Sequence, residues 1–305
     1  MQQRPHAFAT VRAIGVASLT IATLALPSAC GGGKSSSSGG GTPTATVSAL
    51  VVSATKYASP ATITINGTGL DSTLAVTSSV CTGMTLQSGS TSTSATYSCT
   101  VSGGLTGSVI AKSNGTQVGS ATLTVPAPIV RMAVNNGLSA VGNIDITLAP
   151  DKAPKTVDNF LHYVNTSWYN NTIFHRVVSG FIAQGGGYAP QITSVSTATL
   201  KTGTFPAIAV ESTGLSNVMW SISMANANSP PSVDSITTTS QFFFNLANNT
   251  NLDGYYTVFG AITAGTSVVN AIVAAPSSCV TNSAPGTTDC LPVPNAVVTS
   301  ATQIQ

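Results

Sequence analysis

Ile173-Phe174-His175-Arg176-Val177-Val178, then Ser179-Gly180, then Phe181-Ile182-Ala183-Gln184-Gly185-Gly186-Gly187, reads as two strand-forming runs joined by a tight turn. Arg176 stands inside the first apolar run and is one of two arginines beyond residue 30, the other being Arg131. A guanidinium stays charged at physiological pH, so in such a run it needs fixed partners. Gln184, on the strand after the turn, is the neighbour expected to orient it, and no titrating group is expected beside it. Read alone, Arg176 is a hydrogen-bond hub of the sheet and His175 a core histidine. Neither a Gly-x-Ser-x-Gly elbow nor a His-Glu-x-x-His pattern accompanies them. Gly185 to Gly187 lacks the spacing of a phosphate-binding loop.

Outward from this stretch, Pro154 sits where a first helical turn tolerates proline, and Val157, Phe160, Leu161 and Val164 follow at helical spacing. That pattern predicts an amphipathic helix over Pro154–Asn165. Strands are expected at Ile129–Val134 and Asn143–Leu148, around a loop holding Asn136-Gly137, and a closing strand at Ala296–Ile304.

The run Phe174 to Gly187 closely resembles the signature of the cyclophilin peptidyl-prolyl isomerases. Ala153-Pro154-Lys155-Thr156-Val157-Asp158-Asn159-Phe160 is similar to the family's preceding helix. Three further blocks follow in the family's order: Ser223-Met224-Ala225-Asn226-Ala227, Ser240-Gln241-Phe242-Phe243-Phe244, and Leu252-Asp253-Gly254 with Val258-Phe259-Gly260. The resemblance spans most of 129–305 and is nearest to the bacterial exported type. It implies a mainly β fold: a closed eight-stranded barrel with two capping helices and an active site on its outer face. It also implies a catalytic set of Arg176, Phe181, Gln184 and Phe243. Phe181, Ile182, Phe243 and Leu252 would form the proline pocket. Gln184, Ala225, Asn226, Ala227 and Gln241 would hold the substrate backbone and line the groove. Tyr256 replaces a histidine common in eukaryotic members, Asn251 stands where many have tryptophan, and Asn228 to Thr239 is several residues longer than usual. The implied chemistry uses no metal, cofactor or nucleophile. A second reading, a proline-peptide-binding module or chaperone with little turnover, rests on Asn251 and the long 228–239 segment.

The N-terminal half reads differently. From Thr46 to Val125 short β-forming runs recur, among them Thr62–Ile65, Ala95–Val101, Ser108–Ala111 and Ala121–Val125. Asn114-Gly115 marks a hairpin, and Asn66-Gly67-Thr68-Gly69 offers turn chemistry after the alternating Thr62–Ile65. A small immunoglobulin-like β-sandwich over 46–126 is expected. Tyr97-x-Cys99 resembles the tyrosine corner of immunoglobulin domains, but the step from Cys81 is too short for their inter-sheet bridge. Nothing in this half carries chemistry, and a spacer or adhesion-like module is the expected role. Pro126-Ala127-Pro128 separates it from the 129–305 domain.

The segment 1–29 reads as a signal peptide. Arg4 and Arg12 are its only charges, and the 14-residue apolar run Ala13–Leu26 is too short to span a bilayer. Leu26-Pro27-Ser28-Ala29-Cys30 resembles a bacterial lipobox with Cys30 as the lipidated residue, and Gly31 rather than aspartate after it leans towards the outer membrane. The Gly/Ser-rich linker over 30–45 is a flexible tether whose central 31–41 spans roughly 18 Å. With Cys30 lipidated, the other four of five cysteines form two near pairs, Cys81–Cys99 and Cys279–Cys290, expected as disulfides in an oxidising compartment.

Composition sets the boundaries of function. Only 6% of residues are charged, against roughly a quarter in ordinary soluble proteins. Removal of Arg4 and Arg12 leaves eight cationic side chains against eight acidic ones. A nucleic-acid binder working through a basic face is therefore excluded. The sequence predicts a monomeric, lipid-anchored peptidyl-prolyl isomerase of the bacterial envelope, acting on proline-containing segments of exported proteins.

Overall fold

Seven strands fill the N-terminal half of the computed structural model: β1 (Thr46–Ser53), β2 (Pro60–Thr68), β3 (Ala75–Ser78), β4 (Cys81–Leu86), β5 (Ser94–Val101), β6 (Thr106–Ser113) and β7 (Thr116–Thr124). The structure describes residues 45–137, 139–191, 193, 200–227, 236–281 and 288–305. The expected signal peptide, Cys30, nearly all of the 30–45 linker and residues 228–235 of the long loop lie outside them. Two sheets face each other, ordered β1-β2-β5-β4 and β3-β6-β7. Alternation builds their common core: Ala61, Ile63 and Ile65 of β2 are buried while their strand neighbours are more exposed. The Asn114-Gly115 hairpin forms as expected, with both residues at positive φ. Asn66-Gly67-Thr68 differs from the expected turn, because β2 continues through it alongside β1. Gly67 is required by close approach, since a Cβ there would lie 1.9 Å from the Thr46 carbonyl oxygen. Cys81–Cys99 is a disulfide between the neighbouring strands β4 and β5, within one sheet. The buried Tyr97 hydroxyl donates to the Leu74 carbonyl at 2.9 Å, tying the sheet to an upstream loop.

The second half contains β8 (Ile129–Asn135), β9 (Val141–Leu148), α1 (Pro154–Asn165), β10 (Thr172–Val178), β11 (Ile182–Gly185), β12 (Ser221–Met224), β13 (Phe242–Asn245), β14 (Val258–Ala264), α2 (Thr266–Ala274), β15 (Ser277–Thr281), β16 (Thr288–Pro292) and β17 (Val297–Gln303). Eight strands close on themselves in the order β10-β11-β13-β12-β14-β9-β8-β17, because β10 pairs with both β11 and β17. The hairpin β15–β16 is an addition, attached to β10. Aromatic rings fill the interior: Phe242 and Phe244 lie 5.4 Å apart, and Phe174 is within 6.0 Å of each. Helix α1 presses Phe160 onto Phe242 and Phe259, at 5.9 and 5.0 Å. Ala153 has no side chain to cap α1, so the Glu211 carboxylate accepts the Lys155 and Thr156 backbone N–H groups. Gly265, at φ +86°, starts α2 where a Cβ would meet the Asn143 carbonyl oxygen.

The described residues from Ala45 to Gln305 belong to one compact unit. The buried Tyr57 hydroxyl donates to Asp158 Oδ1 of α1 at 2.6 Å and accepts the Gly103 N–H at 2.8 Å. Gln303 donates to the Tyr57 carbonyl, and the Leu105 N–H donates to Asp151 Oδ1. Burial pushes the Asp158 carboxyl above its ordinary range, Glu211 adds to the rise, and the Tyr57 hydrogen bond opposes it. Tyr57→Phe keeps the ring and deletes the shared hydroxyl. It should lower the unfolding free energy by about 1–3 kcal/mol in urea titration, since the half-buried Asp158 carboxylate and the Gly103 N–H both lose their partner. An unchanged midpoint would show that this contact contributes nothing.

Candidate active site

A bulge decides which way Arg176 points. Strand β10 pairs Phe174 with Gly185 and Arg176 with Gln184, so His175 is an extra residue in the ladder. Strict alternation would place Phe174 and Arg176 on one face. The bulge instead lets Phe174 join the aromatic interior while Arg176 stands on the outer face. Beyond β11 the row continues: Gln184 is opposite Phe243, and Phe243 is opposite Ser223. Phe242 and Phe244 are committed to the interior, so Phe243 must face outwards. Arg176, Gln184 and Phe243 therefore stand side by side on three adjacent strands.

The other site residues gather around this row. Ile182, 4% exposed, and the half-buried Phe181 lie at the start of β11. Tyr256 meets Phe243 edge-on at 5.4 Å, and its backbone N–H bonds the carbonyl of the half-buried Leu252. Gln184 Nε2 donates to Gln241 Oε1 at 3.0 Å. Gln241 in turn lies over Gly187, where a Cβ would come within 2.6 Å of its side chain. The Gln241 carbonyl accepts the Ala225 N–H, Asn226 Nδ2 donates to the Tyr255 carbonyl, and the Ala227 N–H donates to Thr237 Oγ1. Asn251 is exposed on the short 3-10 turn Thr250–Leu252. Thus the row, its apolar floor and the 225–227 edge come together on one side of the barrel. Cys81–Cys99 lies in the other half of the chain, and Cys279–Cys290 lies on the β15–β16 hairpin.

Arg176 has a partner that differs from the expected one. Its Nε–H donates to Asp289 Oδ1 of β16 at 2.8 Å, while Gln184 turns to Gln241. The expectation that no titrating group lies beside Arg176 is corrected by the same contact. Asp289 is 113 residues away in sequence, on a hairpin outside the barrel order, and no local pattern links the two. Its adjacency to Cys290, whose pairing was expected, is the one available pointer. His175 is buried, as expected of a core histidine, with its ring 4.4 Å from that of Tyr188. Burial holds its pKa down at about 4, with Arg176 adding to the effect and bonds to Ile173 and Gln241 opposing it. Burial also raises the Tyr256 hydroxyl, against the pull of Arg176.

A polar network missed by sequence reasoning stands behind the floor. Asn245 Nδ2 donates to Asn217 Oδ1 and Ser221 Oγ, and Asn249 Nδ2 donates to Asn245 Oδ1 and to the Phe181 carbonyl. Asn217 donates through N–H and Nδ2 to Asp253 Oδ1. Burial pushes Asp253 up, but the Asn217 donors, with Ser216, outweigh it and leave the carboxyl below its usual range. The clustering of asparagines over 245–251 was the available signal. Chemically, the site offers a fixed guanidinium beside a greasy floor, with amide groups on both sides.

A family model described as "Cyclophilin type peptidyl-prolyl cis-trans isomerase/CLD" matches residues 129–301. A peptidyl-prolyl cis-trans isomerase of Acinetobacter baylyi is 39% identical over 143 residues, 45% of this chain and 70% of that protein. Isomerase A of Dickeya dadantii is 39% identical over 140 residues, 44% of this chain and 67% of that one. A third relative, an isomerase of Streptomyces antibioticus, is 39% identical over 142 residues, covering 44% and 79%.

With burial holding the His175 pKa down at about 4, its imidazole stays neutral between pH 6 and pH 8. The value of kcat/KM should stay within about twofold over that interval. A step centred near pH 6.5, the ordinary histidine value, would show His175 titrating in the working protein.

Proposed function

The chain belongs to the cyclophilin-type peptidyl-prolyl cis–trans isomerases, and from that premise we propose how its outer face turns an X–Pro bond and where it does so. The protein is an isomerase of proline-containing peptides. The row Arg176–Gln184–Phe243 is the observation that carries the site assignment. Amide resonance imposes a barrier of ~18–20 kcal/mol on rotation about the X–Pro bond. Twisting the bond interrupts that resonance and localises a lone pair on the prolyl nitrogen. The Arg176 guanidinium, placed beside the floor, donates an N–H to that lone pair and lowers the energy of the twisted state. Phe181, Ile182, Phe243 and Leu252 hold the pyrrolidine ring while the acyl side rotates. Gln184 and Gln241, with the 225–227 edge, hold the backbone of the substrate. Catalysis of this kind is preorganised electrostatics: the donor is already in place when charge develops, and no proton changes hands.

The substrates in this reading are proline-containing segments of exported proteins. The apolar segment 13–26 and the small residues before Cys30 support export and lipid attachment at Cys30, with the protein a monomer held at the envelope. The Gly/Ser tether and the chemically bland β-sandwich then serve as spacers. Mass analysis of the membrane fraction for a diacylglyceryl group on Cys30 tests the anchor.

Arg176→Ala should lower kcat/KM by roughly 10²–10³, the usual loss for one transition-state donor, with the fold intact by circular dichroism. Arg176→Lys should recover little, because a point charge does not reproduce the planar fork. Exchange spectroscopy on a short Ala-Pro peptide reads both. Full activity in a folded Arg176→Ala variant would remove the arginine from the mechanism.

A further inference from the structure

Arg176 is held from outside the barrel. The hairpin β15–β16 is not one of the eight barrel strands, and it meets β10 through the pairing of Val177 with Cys290. Within the hairpin, Cys279 lies opposite Cys290 and the two are joined as a disulfide. Asp289 immediately precedes Cys290, as Arg176 immediately precedes Val177. That pairing is antiparallel, so Asp289 and Arg176 stand diagonally across it, within reach of a long side chain, and Asp289 Oδ1 accepts the Arg176 Nε–H at 2.8 Å. Their side chains are 14% and 28% exposed, so the pair is sheltered without being sealed off.

The choice of nitrogen matters. An arginine side chain has several rotatable bonds, and in a half-open groove its fork would sample many directions. A charge-assisted bond at Nε fixes the plane of the guanidinium near its base. The terminal Nη1 and Nη2 groups are then aimed by that plane and remain the donors that face a substrate. A carboxylate bridging the Nη groups would instead have competed with the substrate for them. Gln184, the cross-strand neighbour of Arg176, is engaged with Gln241.

We infer that Asp289, presented by the disulfide-joined β15–β16 hairpin, is a positioning residue that aims the Arg176 guanidinium at the substrate. The inference rests on the catalytic reading of Arg176 given above. Asp289 does not touch the reacting bond; it acts through the arginine. Its loss should therefore slow the rotation of bound substrate and leave the apolar pocket, which supplies most of the binding, unchanged. The disulfide ties β16 to β15 beside that contact, so removing it should have the same kind of effect.

The test uses the full chain, with kcat and KM separated by line-shape analysis of cis–trans exchange on an Ala-Pro peptide. Asp289→Asn should lower kcat about tenfold, the order expected when a catalytic group loses its alignment, with KM within about twofold. The Arg176 Nε–H proton resonance, protected in the parent protein, should broaden through solvent exchange in the variant. Joint replacement Cys279→Ala and Cys290→Ala should lower kcat in the same direction, and it carries the test should Asp289→Asn fail to fold. In an Arg176→Ala background Asp289→Asn should have no further effect on kcat. A folded Asp289→Asn protein with kcat within about twofold of the parent overturns the inference, as does a further loss in the Arg176→Ala background. A fully active Arg176→Ala protein is a separate outcome, because it overturns the catalytic reading itself.

Discussion

The aromatic filling of the barrel is the constraint from which the site follows. Phe174, Phe242, Phe244, Phe259 and Phe160 occupy a closed interior in which their rings lie about 5–6 Å apart. Once Phe242 and Phe244 point inwards, the pleat leaves Phe243 no choice but the outer face. The same packing draws Phe174 inwards and leaves Arg176 outside only because the ladder slips by one residue at His175. Core and active face are thus two sides of one arrangement. A substitution that reshapes the interior, such as Phe244→Leu, should be felt in the alignment of the outer row as well as in stability.

Much of this was legible in the chain. The period of Val157, Phe160, Leu161 and Val164 located α1 to the residue, and the Ser179-Gly180 turn between two apolar runs located the β10–β11 pair. The family resemblance supplied the ordered blocks, and the register places the residues of those blocks side by side. Three things could not be read locally. Gly67 looked like turn chemistry, yet its role is to let a neighbouring strand approach, which depends on what stands opposite. The bulge at His175 is invisible to a period-two reading because alternation has no symbol for an extra residue. The Asp289 contact depends on a hairpin outside the barrel, and with so few charges in the chain any carboxylate could have been the partner.

Beside the Arg176–Asp289 ion pair, rigidity around the site is supplied by side-chain amides. Asn217, Asn245 and Asn249 link the ends of β11 and β13 and the turn holding Leu252, with the Phe181 carbonyl as one of their acceptors. Such a network is strong only when every member is satisfied, because a buried amide without a partner loses more than one net hydrogen bond. The same economy of charge recurs at the contact between the halves, where a tyrosine hydroxyl and a carboxyl whose pKa is raised replace an ion pair. Association governed by long-range attraction is not available to a protein built this way, so salt concentration should matter little to encounter with neutral peptides.

Closure of the barrel also sets a timetable. Strand β17 completes the ring by pairing residues near 300 with β8 residues near 130, and it contacts β10 on its other side. Until β17 arrives, β8 and β10 each present an open edge, the feature of unfinished sheets most prone to pair with the wrong chain. Contacts this distant in sequence also make for slow folding, since the intervening chain must be ordered before they form. A catalyst of slow X–Pro rotation is therefore itself a late-maturing fold, exposed to mispairing at open edges while it waits for its own final strand.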